Sequence, residues 1–139
     1  MNKLNTLYQC IEIALTTPVG LGVVSELAKI SEITVGAGTV LDADTATTAI
    51  RIGASFLLSP SVVPGMIEVC SRYGAVPVLG AFTPTEDLTA LEVGADIVKI
   101  FSASTGGLSH IESISAPSPQ ASLMPQRRGV CGRRRALVC

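Results

Sequence analysis

Two residues of this chain sit in settings that suggest chemistry: Lys99, in the run Gly94-Ala95-Asp96-Ile97-Val98-Lys99-Ile100-Phe101, and Glu12, in Cys10-Ile11-Glu12-Ile13-Ala14-Leu15. Lys99 interrupts an otherwise apolar strand pattern, and lysine is almost never fully buried unless it is paired or used. Period-two alternation puts Ile97, Lys99 and Phe101 on one face and Asp96, Val98 and Ile100 on the other. A free lysine has a pKa near 10.4, so only roughly one in 2,500 is neutral at pH 7. Burial among Ile97 and Phe101 would disfavour the ammonium, and lowering the pKa by ~3 units costs about 4 kcal/mol. A neutral amine held there would form a Schiff base with a carbonyl substrate. A lysine snorkelling from the strand's end is the other reading, and the residues alone leave both open.

Glu12 lies between Ile11, Ile13 and Leu15, which form one apolar face. If that face packs on helices, Glu12 points to the opposite side, where a carboxylate facing the same interior as Lys99 could move protons during C–C cleavage. Pairing with a cation, or exposure at the strand end, is the plainer alternative. His110 is the chain's single histidine, which argues against a histidine-rich metal site or a Ser-His-Asp triad; it reads as a solvated helix residue. Cys10, Cys70, Cys131 and Cys139 show no metal-ligand spacing and read as reduced thiols. Gly106-Gly107 before a helix could offer amides to a phosphate, but two glycines in a serine-rich stretch read equally as a loop.

The elements that must position these residues alternate. After an irregular or helical lead-in over residues 1–9, a first strand over 10–15 leads to Thr17-Pro18 as N-cap and first helical residue of a helix reaching about Lys29, with Val19, Val23, Val24 and Leu27 at helical spacing. A second strand covers 33–39, and Asp42 caps a helix to about Ile52. The third strand, 55–59, stops at Pro60, with Ser61 capping a helix to Tyr73. The fourth covers 76–80, before a capping box at Thr83-Pro84-Thr85-Glu86 and a helix ending at Gly94. The lysine strand, 96–101, is followed by a Ser/Gly loop over 102–107, a short helix near 108–116 and a sixth strand at 121–124. Gly53-Ala54, Gly74-Ala75 and Gly94-Ala95 each stop a helix one residue before a strand. Near-constant spacing of 21 and 20 residues between these phrases suits βα units of one parallel sheet. An open doubly wound sheet and a β/α barrel both fit; strict succession of strands favours the barrel. Gly36-x-Gly38 does not complete a dinucleotide-binding pattern.

Of 139 residues, 47% are apolar and 15% charged, against a usual charged share of about 25%. The chain is long enough for one domain with a real core. All eleven acids precede residue 113, whereas five of ten basic residues are arginines between 127 and 135. Residues 1–125 thus carry five basic groups against eleven acids, a net of −6, which argues against nucleic acid as a partner of the domain. The arginine-rich tail, 126–139, is expected to be disordered. No apolar run reaches the ~18 residues of a membrane span, and Gln9 and Glu12 break any signal-like segment; a soluble, cytoplasmic protein is expected.

The motifs Ile11-Glu12-Ile13-Ala14-Leu15-Thr16-Thr17-Pro18, Val35-Gly36-Ala37-Gly38-Thr39-Val40-Leu41, Leu58-Ser59-Pro60 and Val98-Lys99-Ile100-Phe101 together resemble the class I aldolases of 2-keto-3-deoxy-6-phosphogluconate and 4-hydroxy-2-oxoglutarate. The resemblance runs from about Cys10 to Pro125. It implies a (β/α)8 fold, a homotrimer, and cleavage of a 2-keto acid substrate to pyruvate and an aldehyde without metal or organic cofactor. It implies that Lys99 forms the Schiff base and that Glu12 accepts and donates the proton. Thr39 falls where the family contacts the pyruvyl carboxylate, with Pro60 and Phe101 lining the same pocket. Thr16 stands where several members bind substrate through an arginine; Ala14 replaces a common threonine, and Ser102 a common proline.

At the ends the pattern departs. Members carry one more strand-helix unit before Glu12, and Gln126-Arg127-Arg128-Gly129-Val130 stands where the family has a threonine followed by paired glycines. The expectation is therefore an α/β chain forming a partial (β/α)8 TIM-type barrel of about six parallel strands over residues 1–125, truncated at both ends. Six strands cannot close an eight-stranded barrel, so such a chain would expose sheet edges. An inactive remnant serving at most as a binding or assembly module is the competing expectation.

Overall fold

The computed structural model describes residues 10–126. The lead-in over 1–9 and all of the arginine-rich tail except Gln126 lie outside the described residues. The order is β1 (Cys10–Ala14), α1 (Gly20–Leu27), β2 (Thr34–Gly38), α2 (Ala43–Arg51), β3 (Phe56–Leu58), α3 (Pro64–Tyr73), β4 (Val76–Ala81), α4 (Pro84–Glu92), β5 (Ile97–Ile100), α5 (Ala103–Ser115) and β6 (Ser122–Pro125). All six strands pair in parallel and in chain order, β1 to β6. This is the partial TIM-type arrangement expected, a curled half-barrel of βα units.

Strand alternation separates two cores. Toward the helices, Val35, Ala37, Leu57, Leu79, Val98 and Ile100 pack with Val24, Met66 and Ile114. Ile13 and Leu15 join this layer, as the apolar face of the first strand predicts. Ala46, Ala49 and Ala90 are fully buried on their helices, and their small side chains let helix backbones approach the sheet. On the concave face, Phe56, Leu58 and Val78 pack with Cys10, Ile97 and Met124. Burying a side chain of this size contributes about 1.5–3 kcal/mol, so the register is strongly held: a one-residue slip would move each of these residues to the wrong layer.

Helix termini follow the local signals where nothing competes. Asp42 accepts from the Thr45 N–H at 2.7 Å, and Thr83 with Glu86 forms the full capping box of α4. At the helix ends the Gly74 N–H donates to the Cys70 carbonyl at 2.8 Å, with φ of 76° at Gly74. That left-handed turn requires glycine and redirects the chain into β4.

Elsewhere the boundaries depart from expectation. α1 begins at Gly20 rather than at Pro18, because residues after β1 are committed to turns: the Thr17 N–H donates to Ala14 O at 3.0 Å and the Gly20 N–H to Thr17 O at 2.9 Å. Val19 is consequently 64% exposed instead of facing the core. α3 begins at Pro64, not at Ser61, since the Ser59 hydroxyl donates to the Ser61 carbonyl and holds a turn there. Pro64 then occupies the first helical turn, where a missing N–H is harmless. The expected loop over 102–107 is helical, and α5 runs through it with a break at Gly107, φ 67° and ψ −168°. His110 is not a solvated residue. Its Nε2 lies 2.7 Å from the Phe82 carbonyl, and its ring packs on Phe82 at 4.5 Å between centroids.

Candidate active site

Lys99 occupies the concave face of β5, in register with Gly80 on β4 and Met124 on β6. It is 4% exposed, so the ammonium has lost most of its water. Its Nζ stands 4.9 Å from the centroid of the Phe101 ring, a cation–π distance. Desolvation holds its pKa below the usual lysine value, and the Glu12 carboxylate partly opposes that shift. Among the described residues the single ion pair is Lys29 with Glu26 on the surface. Lys99 and Glu12 therefore act on one another through space and not through a direct salt bridge.

Glu12 faces the same interior from β1, paired in register with Gly36. Its carboxylate lies across Gly38: a Cβ added there would sit 2.6 Å from Glu12 Cδ. The opposite end of the sheet supplies its partner. Gln126, following β6, donates from Nε2 to Glu12 Oε2 at 3.4 Å across 114 residues of chain. Burial raises the Glu12 pKa from 4.5 to about 7, against the lowering effects of the Lys99 charge and of the Gln126 hydrogen bond. A carboxyl group with that pKa can accept and return a proton near neutral pH. A desolvated amine beside it has the character a carbonyl-condensing nucleophile needs.

The other predicted residues divide into two places. A Cβ on Gly80 would collide with the Pro60 carbonyl group, so Gly80 is what lets the β3–α3 connection approach β4 at the register of Lys99. Phe101 lies beneath Nζ, as described. Thr39 and Thr16 instead line a cleft of about 250 Å³ at the ends of β1 and β2, together with Leu15, Leu41, Asp42 and Thr45. Among the described residues, no hydrogen bond joins either threonine to Glu12 or Lys99. Thr39 has φ of 59°, an uncommon conformation for a β-branched residue and one found where backbone strain serves a site.

Two neighbours of Glu12 and Lys99 escaped the sequence reading: Gly80 and Gln126. Alternation carried two residues beyond Met124 would place Gln126 on the concave face, so a signal existed. The contact itself needs the curl of the sheet. Among the described residues no group of three or more His, Cys, Asp or Glu side chains is arranged to hold a metal. None of the described helices is long and apolar enough to cross a membrane.

Comparison with known proteins agrees with this fold. The family model for KDPG and KHG aldolase matches residues 4–131. A probable 2-dehydro-3-deoxy-6-phosphogalactonate aldolase of Rhizobium meliloti (strain 1021) is 35% identical over 118 residues, 84% of this chain and 56% of that protein. A 2-dehydro-3-deoxy-phosphogluconate aldolase of Treponema pallidum (strain Nichols) is 29% identical over 119 residues, 84% of this chain and 57% of that protein. The crystal structure of the 2-keto-3-deoxy-6-phosphogluconate aldolase of Zymomonas mobilis ZM4 with 3-phosphoglycerate superposes with a TM-score of 0.80 at 26% identity, over 88% of this chain and 59% of that one. The chain thus spans a little over half the length of these curated relatives. Since that family model spans residues 4–131, well over half of the chain, the chain belongs to the KDPG and KHG aldolase family.

Proposed function

We propose that this chain carries the Schiff-base half of a class I aldolase that cleaves 2-keto-3-deoxy-6-phosphogluconate or 4-hydroxy-2-oxoglutarate to pyruvate and an aldehyde. The observation that carries the reading is the pairing of a buried lysine with a carboxyl group on one concave sheet face. Lys99 attacks the 2-keto carbon as the neutral amine, and loss of water leaves an iminium that withdraws electrons. The Glu12 carboxylate takes the proton of the C4 hydroxyl. The C3–C4 electron pair moves into the iminium system, giving an enamine and free aldehyde. Glu12, now protonated, returns the proton to C3, and water releases pyruvate and the lysine amine.

Thr39 and Thr16 are assigned to the substrate carboxylate, and Pro60 and Phe101 to the walls around the reacting carbon. No metal or organic cofactor takes part in this scheme. The working form is a cytoplasmic homotrimer in this reading, with residues 1–125 as the aldolase domain and 126–139 as an appended tail. Borohydride reduction in the presence of pyruvate tests the central step. A mass increase confined to Lys99 is the expected result. Its absence, under conditions where a full-length relative is trapped, leaves the chain as an inactive binding or assembly module.

A further inference from the structure

The side chain that reaches Glu12 from the far end of the sheet has no role in the scheme above. Gln126 is placed firmly: its N–H donates to the Ile100 carbonyl at 3.0 Å, and its own carbonyl accepts from the Ala103 N–H at 2.9 Å. These bonds tie it to the end of the lysine strand and to the start of α5. Met124 packs in the concave core, and alternation puts Gln126 on that same face. Its amide therefore arrives at the carboxylate from a fixed backbone.

We propose that Gln126 is a positioning residue for Glu12, its amide N–H holding Oε2 of the carboxylate and leaving Oε1, the oxygen above Gly38, to exchange the proton with substrate. The inference rests on the Schiff-base reading and adds to it which oxygen works and what orients it. A carboxyl group that takes a proton and gives it back occupies two protonation states in each turnover. An amide N–H serves both, because Oε2 remains an acceptor whether or not Oε1 carries the proton. The groups facing Glu12 are Lys99 from β5, Gln126 beyond β6, and the bare backbone of Gly36 and Gly38 from β2. Of these, Gln126 is the single uncharged donor, and its bond favours the carboxylate form.

The test uses the full chain and two near-isosteric variants, Gln126→Met and Gln126→Glu. Three quantities are measured: the Glu12 titration by carboxyl 13C NMR, assigned against Glu12→Gln; deuterium exchange at C3 of pyruvate; and borohydride trapping at Lys99. In Q126M the Glu12 midpoint rises by about half a unit as the donor is lost. Exchange falls about tenfold, a part of the 10²–10⁴ that positioned acid–base catalysis supplies, while trapping persists. In Q126E a second carboxylate faces the first, and the midpoint rises further. A side chain that merely supports the fold would lower thermal stability without moving that midpoint. Trapping with an unmoved midpoint or undiminished exchange in a folded variant overturns the role of Gln126 and leaves the aldolase reading standing. No trapping in the unsubstituted chain overturns the aldolase reading, and the proposed role goes with it. Should Q126M fail to fold, Q126E decides by its own midpoint.

Discussion

The Glu12 carboxylate occupies the space that a side chain at Gly38 would fill. A neighbouring strand thus makes room for the carboxylate by carrying no side chain there. Gly38→Ala would either push the carboxylate aside or force the strands apart, and overpacking of this kind costs about 1–3 kcal/mol. The expected outcome is a folded variant whose pyruvate C3 exchange falls by about 10²-fold, within the range of a misplaced acid–base group, with trapping at Lys99 retained. Wild-type exchange in G38A would remove the proposed role of Glu12.

Lys99 is buried, a cost that the proposed Schiff-base role accounts for. Lys99→Met keeps the length of the side chain and removes a desolvated amine. No borohydride adduct with pyruvate should form, while urea unfolding should show equal or greater stability, by about 1 kcal/mol, since active-site groups commonly trade stability for function. A K99M variant that still traps pyruvate would place the reactive amine elsewhere.

The raised pKa of Glu12 makes stability depend on pH. Its carboxyl moves from 4.5 to about 7 on folding, so between these values the folded state binds a proton that the unfolded state has lost. Stability contributed by the protonated carboxyl is complete below 4.5 and declines as pH rises to about 7. At ~1.36 kcal/mol per unit the decline amounts to about 3 kcal/mol. Lys99, whose pKa is lowered, acts in a different window, between its folded value and the ordinary lysine range, where stability rises with pH. Urea midpoints measured from pH 4.5 to 7.5 should therefore fall in the unsubstituted chain and fall much less in Glu12→Gln. A flat profile in both would mean that Glu12 is not desolvated.

Asp87 is fully buried in the first turns of α4, and neither carboxyl oxygen has a hydrogen-bond partner among the described residues. An unpaired buried polar group costs about 1–3 kcal/mol. Asp87→Ala removes it and introduces a better helix former. The expected result is a gain of about 1–2 kcal/mol, seen as a higher thermal midpoint at pH 7 with trapping at Lys99 unchanged. A loss of stability would show that the carboxylate is satisfied.

Much of this arrangement is local in origin and was legible in the order of residues. Alternation alone assigned Lys99 and Phe101 to one face, Val98 and Ile100 to the other, and Glu12 opposite Ile13 and Leu15. The structure has Val98 and Ile100 in the helix-side core and Ile97 in the concave one. Asp42 and the Thr83–Glu86 box cap their helices as read, because a cap is a hydrogen bond between residues three apart and needs no distant partner. Thr17 and Ser61 carried the same kind of signal and did not cap. Their neighbours' backbone groups were already engaged in turns, a competition that residue types do not reveal. The tertiary structure alone decided the rest: the Gln126 amide on Glu12, the carboxylate above Gly38, and His110 bound to Phe82. The first of these depends on how far the sheet curls. Curl accumulates from twist between successive strands, so the meeting of β1 with the end of β6 belongs to the whole sheet and to no one segment of it.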